Sequence, residues 1–303
     1  MNVPSVAVLV AVLVAAPVDA QVALAAPREA AFYRAELPHA RPVDVPRRVV
    51  SLAPTITETL FLLGRGPSVV GVTRYCDRPA EAQALPKVGG YIDPSLEAIL
   101  ALKPDLVVAI PSFAQRGLLD RVRERGIPVL VGFSDTLAEV KDLTRALGEA
   151  TGAKQRSATL LAELERRLRN VHDASLSLPP VDAVVVVGTE PLVVAGPGTF
   201  ADEALRLVHA RSVVPADGPA WPTWSIETLL AKKPRVIVAA EGPKAAARLR
   251  TLVSRRAGTQ IEVVSGPGHL LMRPGPSLAS DVEVLLRLLG PGVRTPPAAR
   301  RTE

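Results

Sequence analysis

Two residue pairs in this sequence have the types and spacing that suit recognition of a ligand and of a partner. Tyr91 stands six residues before Glu97, and Trp221 stands six residues before Glu227. The pairs belong to a longer repeat: Ser95 to Ala109 aligns without gaps on Ser225 to Ala239, at an offset of 130 residues, with eight of fifteen positions identical. Each copy opens on a serine suited to a helix N-cap and has glutamate in the first turn, where the helix dipole favours negative charge. Each closes on Lys-Pro leading into an apolar run. Capping accounts for the serine and the glutamate in either copy alone. It does not account for an aromatic at the same loop position twice, in a chain with only 3% aromatic residues. If the two halves face one another, Tyr91 and Trp221 line opposite sides of a cleft, and Glu97 and Glu227 stand on the rim of each half. A cleft with apolar faces and a few polar groups is the ordinary form of a small-molecule site.

Enzymatic and metal chemistries find little in the sequence. There is no Gly-x-Ser-x-Gly, and the histidines, His39, His172, His209 and His269, are scattered. Clustered His, Asp or Glu with ligand spacing is absent, so no metal and no cofactor is expected. Gly196-Pro-Gly198 and Gly266-Pro-Gly268 complete no phosphate-binding pattern and read as turns. The single cysteine, Cys76, excludes an intramolecular disulfide and reads as a buried, unreactive thiol beside Tyr75. The net charge of +6 comes from basic residues interleaved with acidic ones, which suits solvated faces and argues against a nucleic-acid partner.

The elements that must position these residues follow from the pattern of apolar runs. Short β-branched runs alternate with helical stretches, the signature of α/β units with mainly parallel sheets. Strands are expected at Arg48–Leu52, Val69–Thr73, Leu106–Ile110 and Val129–Phe133, with helices at Thr57–Leu63, Leu96–Leu102 and Gly117–Arg125. A second set has strands at Ala183–Val187, Val236–Ala240 and Ile261–Val264, with helices at Ala201–Val208, Ile226–Lys232, Ala245–Val253 and Leu278–Leu289. Between the sets, Ala153 to Leu178 contains neither Gly nor Pro and puts Leu160, Leu161, Leu164 and Leu168 on one stripe. That predicts a helix of ~26 residues and ~39 Å. The expected fold is two similar Rossmann-like α/β lobes joined by one long rigid helix, with a ligand cleft between the lobes.

The domain boundaries expected are a signal peptide over 1–20, a lead over 21–46, lobes over 47–152 and 179–290, the connecting helix over 153–178 and a disordered tail over 291–303. The N-terminal apolar run ends in the small-x-small pattern Val18-Asp19-Ala20, which reads as an export signal, and the mature protein is expected to be soluble outside the cytoplasm.

From about Arg47 to Leu289 the sequence resembles the helix-hinged periplasmic substrate-binding proteins of ABC importers, the group that binds vitamin B12, haem and ferric siderophores. The vitamin B12 (cobalamin) branch is the most similar. The resemblance rests on Arg48-Val-Val-Ser-Leu-Ala-Pro-Thr-Ile-Thr-Glu58, Gly71-Val-Thr-Arg-Tyr-Cys-Asp-Arg-Pro79, Leu85-Pro-Lys-Val-Gly-Gly-Tyr91 and the Lys103-Pro-Asp-Leu-Val-Val108 strand entry. In the second half it rests on Trp221-Pro-Thr-Trp-Ser-Ile-Glu227 and Arg273-Pro-Gly-Pro276. It implies that Tyr75, Tyr91 and Trp221 contact the ligand, with Arg273 at the pocket edge. It also implies that Glu97 and Glu227 dock onto arginines of an ABC transporter permease in the inner membrane. The pattern departs at two places. Phe113, in Ile110-Pro-Ser-Phe113, stands where a tryptophan is expected, and His269 stands where an acidic ligand contact is expected. Cobalamin is the implied ligand. Haem held by an axial donor such as Tyr75 or His269, an anionic siderophore held by Arg273 and Arg74, and a ligand sensor on the same scaffold that is not coupled to a permease are the alternatives.

Overall fold

The computed structural model describes residues 45–110, 115–254, 261–266, 268 and 270–294. The expected signal peptide, nearly all of the lead, Phe113, His269 and the tail beyond Arg294 lie outside the described residues. In the first lobe β1 (Val49–Ser51), β2 (Val69–Val72), β3 (Leu106–Ala109) and β4 (Val129–Val131) form an all-parallel sheet in the order β2-β1-β3-β4. Every residue of β3 is buried, as a parallel strand covered on both faces must be. The helices are α1 (Pro54–Leu62), α2 (Ala80–Gln83), α3 (Leu96–Ala101), α4 (Arg116–Glu124) and α5 (Leu137–Ala150).

A 22-residue helix, α6 (Lys154–Ser175), then leads into the second lobe. That lobe contains β5 (Val181–Thr189), β6 (Leu192–Val194), α7 (Phe200–Leu207), β7 (Ala210–Ser212), α8 (Ile226–Ala231), β8 (Val236–Ala239), α9 (Pro243–Ser254), β9 (Glu262–Val264) and α10 (Leu278–Leu288). β5 has nine residues where five are expected, because one edge serves two partners. Its start pairs with β7 in parallel, and its end pairs with β6 antiparallel. On the other edge it pairs with β8, and β8 pairs with β9. Leaving β6 aside, β7-β5-β8-β9 repeats the order β2-β1-β3-β4, and each sheet takes its described strands from one lobe only. A short helix, α11 (Pro291–Arg294), opens the stretch expected as a tail, with proline in its favoured first position.

The sequence repeat is a structural repeat in detail. Ser95 and Ser225 both accept the amide of the third residue on, from Ala98 and Thr228 at 3.2 and 3.1 Å. After each helix a lysine takes the left-handed conformation, Lys103 at φ 46° and Lys233 at φ 50°, and turns the chain into β3 or β8.

α6 spans ~33 Å at 1.5 Å per residue, shorter than the ~39 Å expected. It ends where its buried stripe ends: Leu161, Leu164, Leu168, Val171 and Ser175 are covered, whereas Leu176 is exposed. The stripe serves both lobes, since Leu160 packs on the first lobe's core and Leu161, Leu164, Leu168 and Val171 enter the second's. Arg167 grips Glu283 on α10 with Nε and Nη2, both at 2.8 Å, and fixes the helix to that lobe. Among the described residues no helix is long and apolar enough to cross a membrane.

Candidate functional site

The first wall is made by two loops tied side by side. The loop after β2 carries Tyr75, and the loop entering α3 carries Tyr91. Val88 and Arg74 donate backbone bonds to Val72 and Gly89 at 2.9 and 2.8 Å, and the Arg74 guanidinium pairs with Asp93 at 2.7 Å. The same guanidinium lies 5.7 Å from the centre of the Tyr75 ring. Both tyrosines join one apolar cluster with Ala53, Ile56 and Cys76. Tyr75 is half-buried, while Tyr91 retains 4% of its surface. Gln115, fully buried, donates Nε2 to the carbonyl of Tyr91. Cys76 shares a 3.1 Å contact with the Thr73 hydroxyl, and burial pushes its thiol up from the usual range.

Only glycine fits at the joint of these loops. Gly89 sits at φ +113°, and a Cβ on Gly90 would collide with the Asp93 carboxylate and lie 3.1 Å from the Arg74 guanidinium. Gly90→Ala is therefore expected to push the exposed Asp93 carboxylate aside and split the Arg74–Asp93 pair, with only a small loss of stability because both side chains are half-exposed. A thermal melt checks it, and an unchanged midpoint would show that the loops adjust without strain.

The opposite wall belongs to the second lobe. Gly196 and Val194 donate to the carbonyls of Ala220 and Pro222, at 2.7 and 3.1 Å, so the backbone is pinned on either side of Trp221. The half-buried indole tilts at 58° against Phe200 with ring centres 6.2 Å apart. The Phe200 amide donates to the Asp135 carbonyl of the first lobe at 2.6 Å, which puts this aromatic pair at the lobe boundary. Trp224, three residues on, is half-buried on the other core of the same lobe, the cluster that holds Val194, Val214 and Leu229.

Arg273 reaches across the boundary. Its Nη1 donates to Glu58 at 3.3 Å and to Asp77 at 2.5 Å, and Ser277 donates to the other oxygen of Glu58 at 3.3 Å. Asp77 stands two residues after Tyr75, so the arginine is attached to the loop that carries a proposed ligand contact. Beside it lies a cavity of about 620 Å³ lined by Glu58, Phe61, Arg78, Arg273, Ser277 and Asp281 among others. Burial pushes the Asp77 carboxyl up, but the hydrogen bond and charge of Arg273 outweigh it and hold the group below its ordinary value.

Asp281 has the opposite shift. Burial raises it, in spite of the bond it accepts from the Leu271 amide at 2.9 Å. A carboxyl raised by folding contributes stability below its unfolded pKa and loses it as pH rises through the folded value. Asp281→Asn keeps an acceptor for Leu271. It is expected to raise the melting temperature at neutral pH and to leave it nearly unchanged near about pH 4. An equal shift at both pH values would overturn the assignment.

The two glutamates are both exposed in the first turns of α3 and α8, and the Ser95 hydroxyl donates to Glu97 at 3.0 Å. Each follows directly on the loop bearing its aromatic partner. The structure thus ties the Tyr75 loop to the Tyr91 loop and, through Asp77, to Arg273, and places Trp221 on the facing lobe at the boundary; of these four only Arg273 lines the cavity. Glu58, Asp77 and Gln115 had no role in the sequence reading. Glu58 and Asp77 fall inside quoted motifs, but ion pairs 215 and 196 residues apart leave no local signal.

A family model described as periplasmic binding protein matches residues 49–263, and the chain belongs to that family. The uncharacterized ABC transporter substrate-binding lipoprotein YvrC of Bacillus subtilis is 30% identical over 260 residues, covering 81% of both chains. A vitamin B12-binding protein of Photorhabdus laumondii is 27% identical over 197 residues, 65% of this chain and 72% of its own length. The crystal structure of the periplasmic vitamin B12 binding protein BtuF of Vibrio cholerae superposes with a TM-score of 0.68 at 26% identity, over 81% of this chain and 97% of that one. The periplasmic haem-binding protein BhuT with two haems bound superposes with a TM-score of 0.70 at 27% identity, over 82% and 99%. The two-lobed α/β architecture is the fold these proteins share.

Proposed function

We propose that the chain is the solute-binding component of an ABC importer, that it works in the periplasm, and that it captures a corrinoid and delivers it to the permease. The observation that carries this reading is the duplication. Each lobe carries one aromatic in the loop entering the repeat helix and one exposed first-turn carboxylate just after it, Tyr91 with Glu97 and Trp221 with Glu227. An enzyme has no need of that symmetry, whereas a carrier that must be held by both lobes does. A broad macrocycle with amide-bearing edges suits Tyr75 and Trp221 as flat contacts, backed by the nearly buried Tyr91, and Arg273 as a donor at the edge. Phe113 and His269 complete the proposed ligand set. The relatives named as vitamin B12-binding proteins support the same ligand.

Haem is the second reading. The half-buried phenol of Tyr75 beside Arg74 is a candidate axial donor, and the likeness to BhuT favours it. Calorimetric titration of the mature protein with cyanocobalamin, haemin and a ferric hydroxamate separates the readings. Micromolar or tighter binding of cyanocobalamin is expected. Absence of heat with cobalamin, beside tight binding of haemin or the hydroxamate, would transfer the protein to that ligand.

A further inference from the structure

We propose that Glu58 and Asp77 are positioning residues that hold Arg273 across the lobe boundary and so fix both the lobe spacing and the orientation of that guanidinium toward the cavity. The ligand part of this inference rests on the function proposed above; the spacing part does not.

Three observations carry it. Both carboxylates come from the first lobe and the guanidinium from the second, and all their bonds fall on Nη1. Among the described residues no bond is made by Nε or Nη2, which leaves both for an acceptor on whatever enters the cavity that Arg273 lines. The Arg273 and Glu58 side chains are only 12% and 13% exposed, so their charges lack the water that would let them relax at another spacing. Removing one partner of such a cluster leaves an uncompensated charge, which makes the geometry strongly specified even where its net contribution to stability is small. Finally, the backbone next to Arg273 sits directly on α1. A Cβ at Gly275 would lie 3.6 Å from the Thr59 hydroxyl and 3.7 Å from the Thr55 methyl, both on the opposite lobe.

A second tie lies elsewhere on the boundary. The Leu137 amide donates to Glu203 and the Phe200 amide to the Asp135 carbonyl, both at 2.6 Å. One tie leaves a rotation free, and two on different elements define an angle. α6 alone is a single connection and does neither. Disruption of the Arg273 tie is therefore expected to widen the range of lobe orientations while the fold is kept.

The test uses Ala101→Cys and Ala231→Cys, equivalent exposed positions at the ends of α3 and α8, spin-labelled in the full mature chain. Buried Cys76 is spared by the label. In the Glu58→Gln, Asp77→Asn background the interlobe distance distribution from double electron–electron resonance is expected to broaden at least twofold. Asp77→Asn alone, at a half-exposed position, provides a variant that folds and is expected to broaden it in part. Asp77→Glu is expected to restore the narrow distribution. The second measurement is cyanocobalamin affinity in a double-mutant cycle with Arg273→Gln. Each change is expected to weaken binding about tenfold, and the combination no more than Arg273→Gln alone. An unchanged distribution in folded variants, or a lowered melting temperature with unchanged width, overturns the spacing claim. Additive losses of affinity overturn the claim that the carboxylates act through Arg273. A failure of the parent to bind cobalamin refutes the ligand reading and leaves the distance result to stand or fall by itself.

Discussion

Trp221→Ala is expected to weaken ligand binding by ~1–3 kcal/mol, roughly 5- to 150-fold in Kd, and also to lower the melting temperature, since the indole packs on a core of the second lobe. The indole is half-buried and leans on Phe200, and its backbone is pinned on both sides by Gly196 and Val194. Its position thus comes from the main chain, and truncation removes a flat apolar surface without dissolving the loop. Trp224→Ala is the matched control. That side chain is half-buried on the core that holds Val194 and Leu229, so its loss is likewise expected to lower the melting temperature but to leave Kd nearly unchanged. Calorimetry and thermal melts of both variants check the pair. If both lose affinity alike, or if Trp221→Ala binds as tightly as the parent, Trp221 does not line the ligand site.

That contrast also shows what the sequence could and could not reveal. Trp221 was singled out because the 130-residue repeat matched it to Tyr91, and the repeat is visible because both copies solve one local problem. A serine caps the helix, a lysine turns left-handed, and a proline starts a buried strand. Such signals are written within fifteen residues. α5 carried a local signal too, the capping box in which Thr136 bonds the Glu139 amide and Glu139 bonds back. Its amphipathic pattern is less evident beside the longer run of α6. β6 and β7, three residues each, are too short for alternation to register, and both exist only as partners of β5. The polar contacts between lobes had no signature at all. Glu58 and Asp77 read as an ordinary helix residue and an ordinary loop residue, and only the folding of two lobes onto α6 puts Arg273 within 3.3 Å of them. Local chemistry was therefore legible, and its assembly across the cleft was not.

Reversal of both Glu97 and Glu227 to Lys is expected to abolish delivery to the importer and to leave ligand affinity almost untouched. Both carboxylates are exposed, and both sit in the first turn of short equivalent helices, one on each lobe. The serine caps bond the amides of Ala98 and Thr228, so the helix starts survive the change. What is lost is the hydrogen bond from Ser95 to Glu97 and a favourable charge at each helix N-terminus, below about 1 kcal/mol at each site. At a docked surface the effect is larger, because an attraction to a partner arginine becomes a repulsion. At 4 Å such a contact goes from about 1 kcal/mol in water to about 4 kcal/mol near a protein surface. Two such contacts on separate lobes also fix the orientation of the carrier, so one reversal is expected to slow delivery and two to stop it. Uptake into vesicles holding the cognate importer, measured with saturated ligand and parent or variant protein outside, reads the delivery step. Calorimetry reads the cleft. Transport that persists in the double variant, or affinity that falls together with transport, removes these glutamates from the docking surface and leaves the cleft assignment to Tyr75, Tyr91 and Trp221 alone.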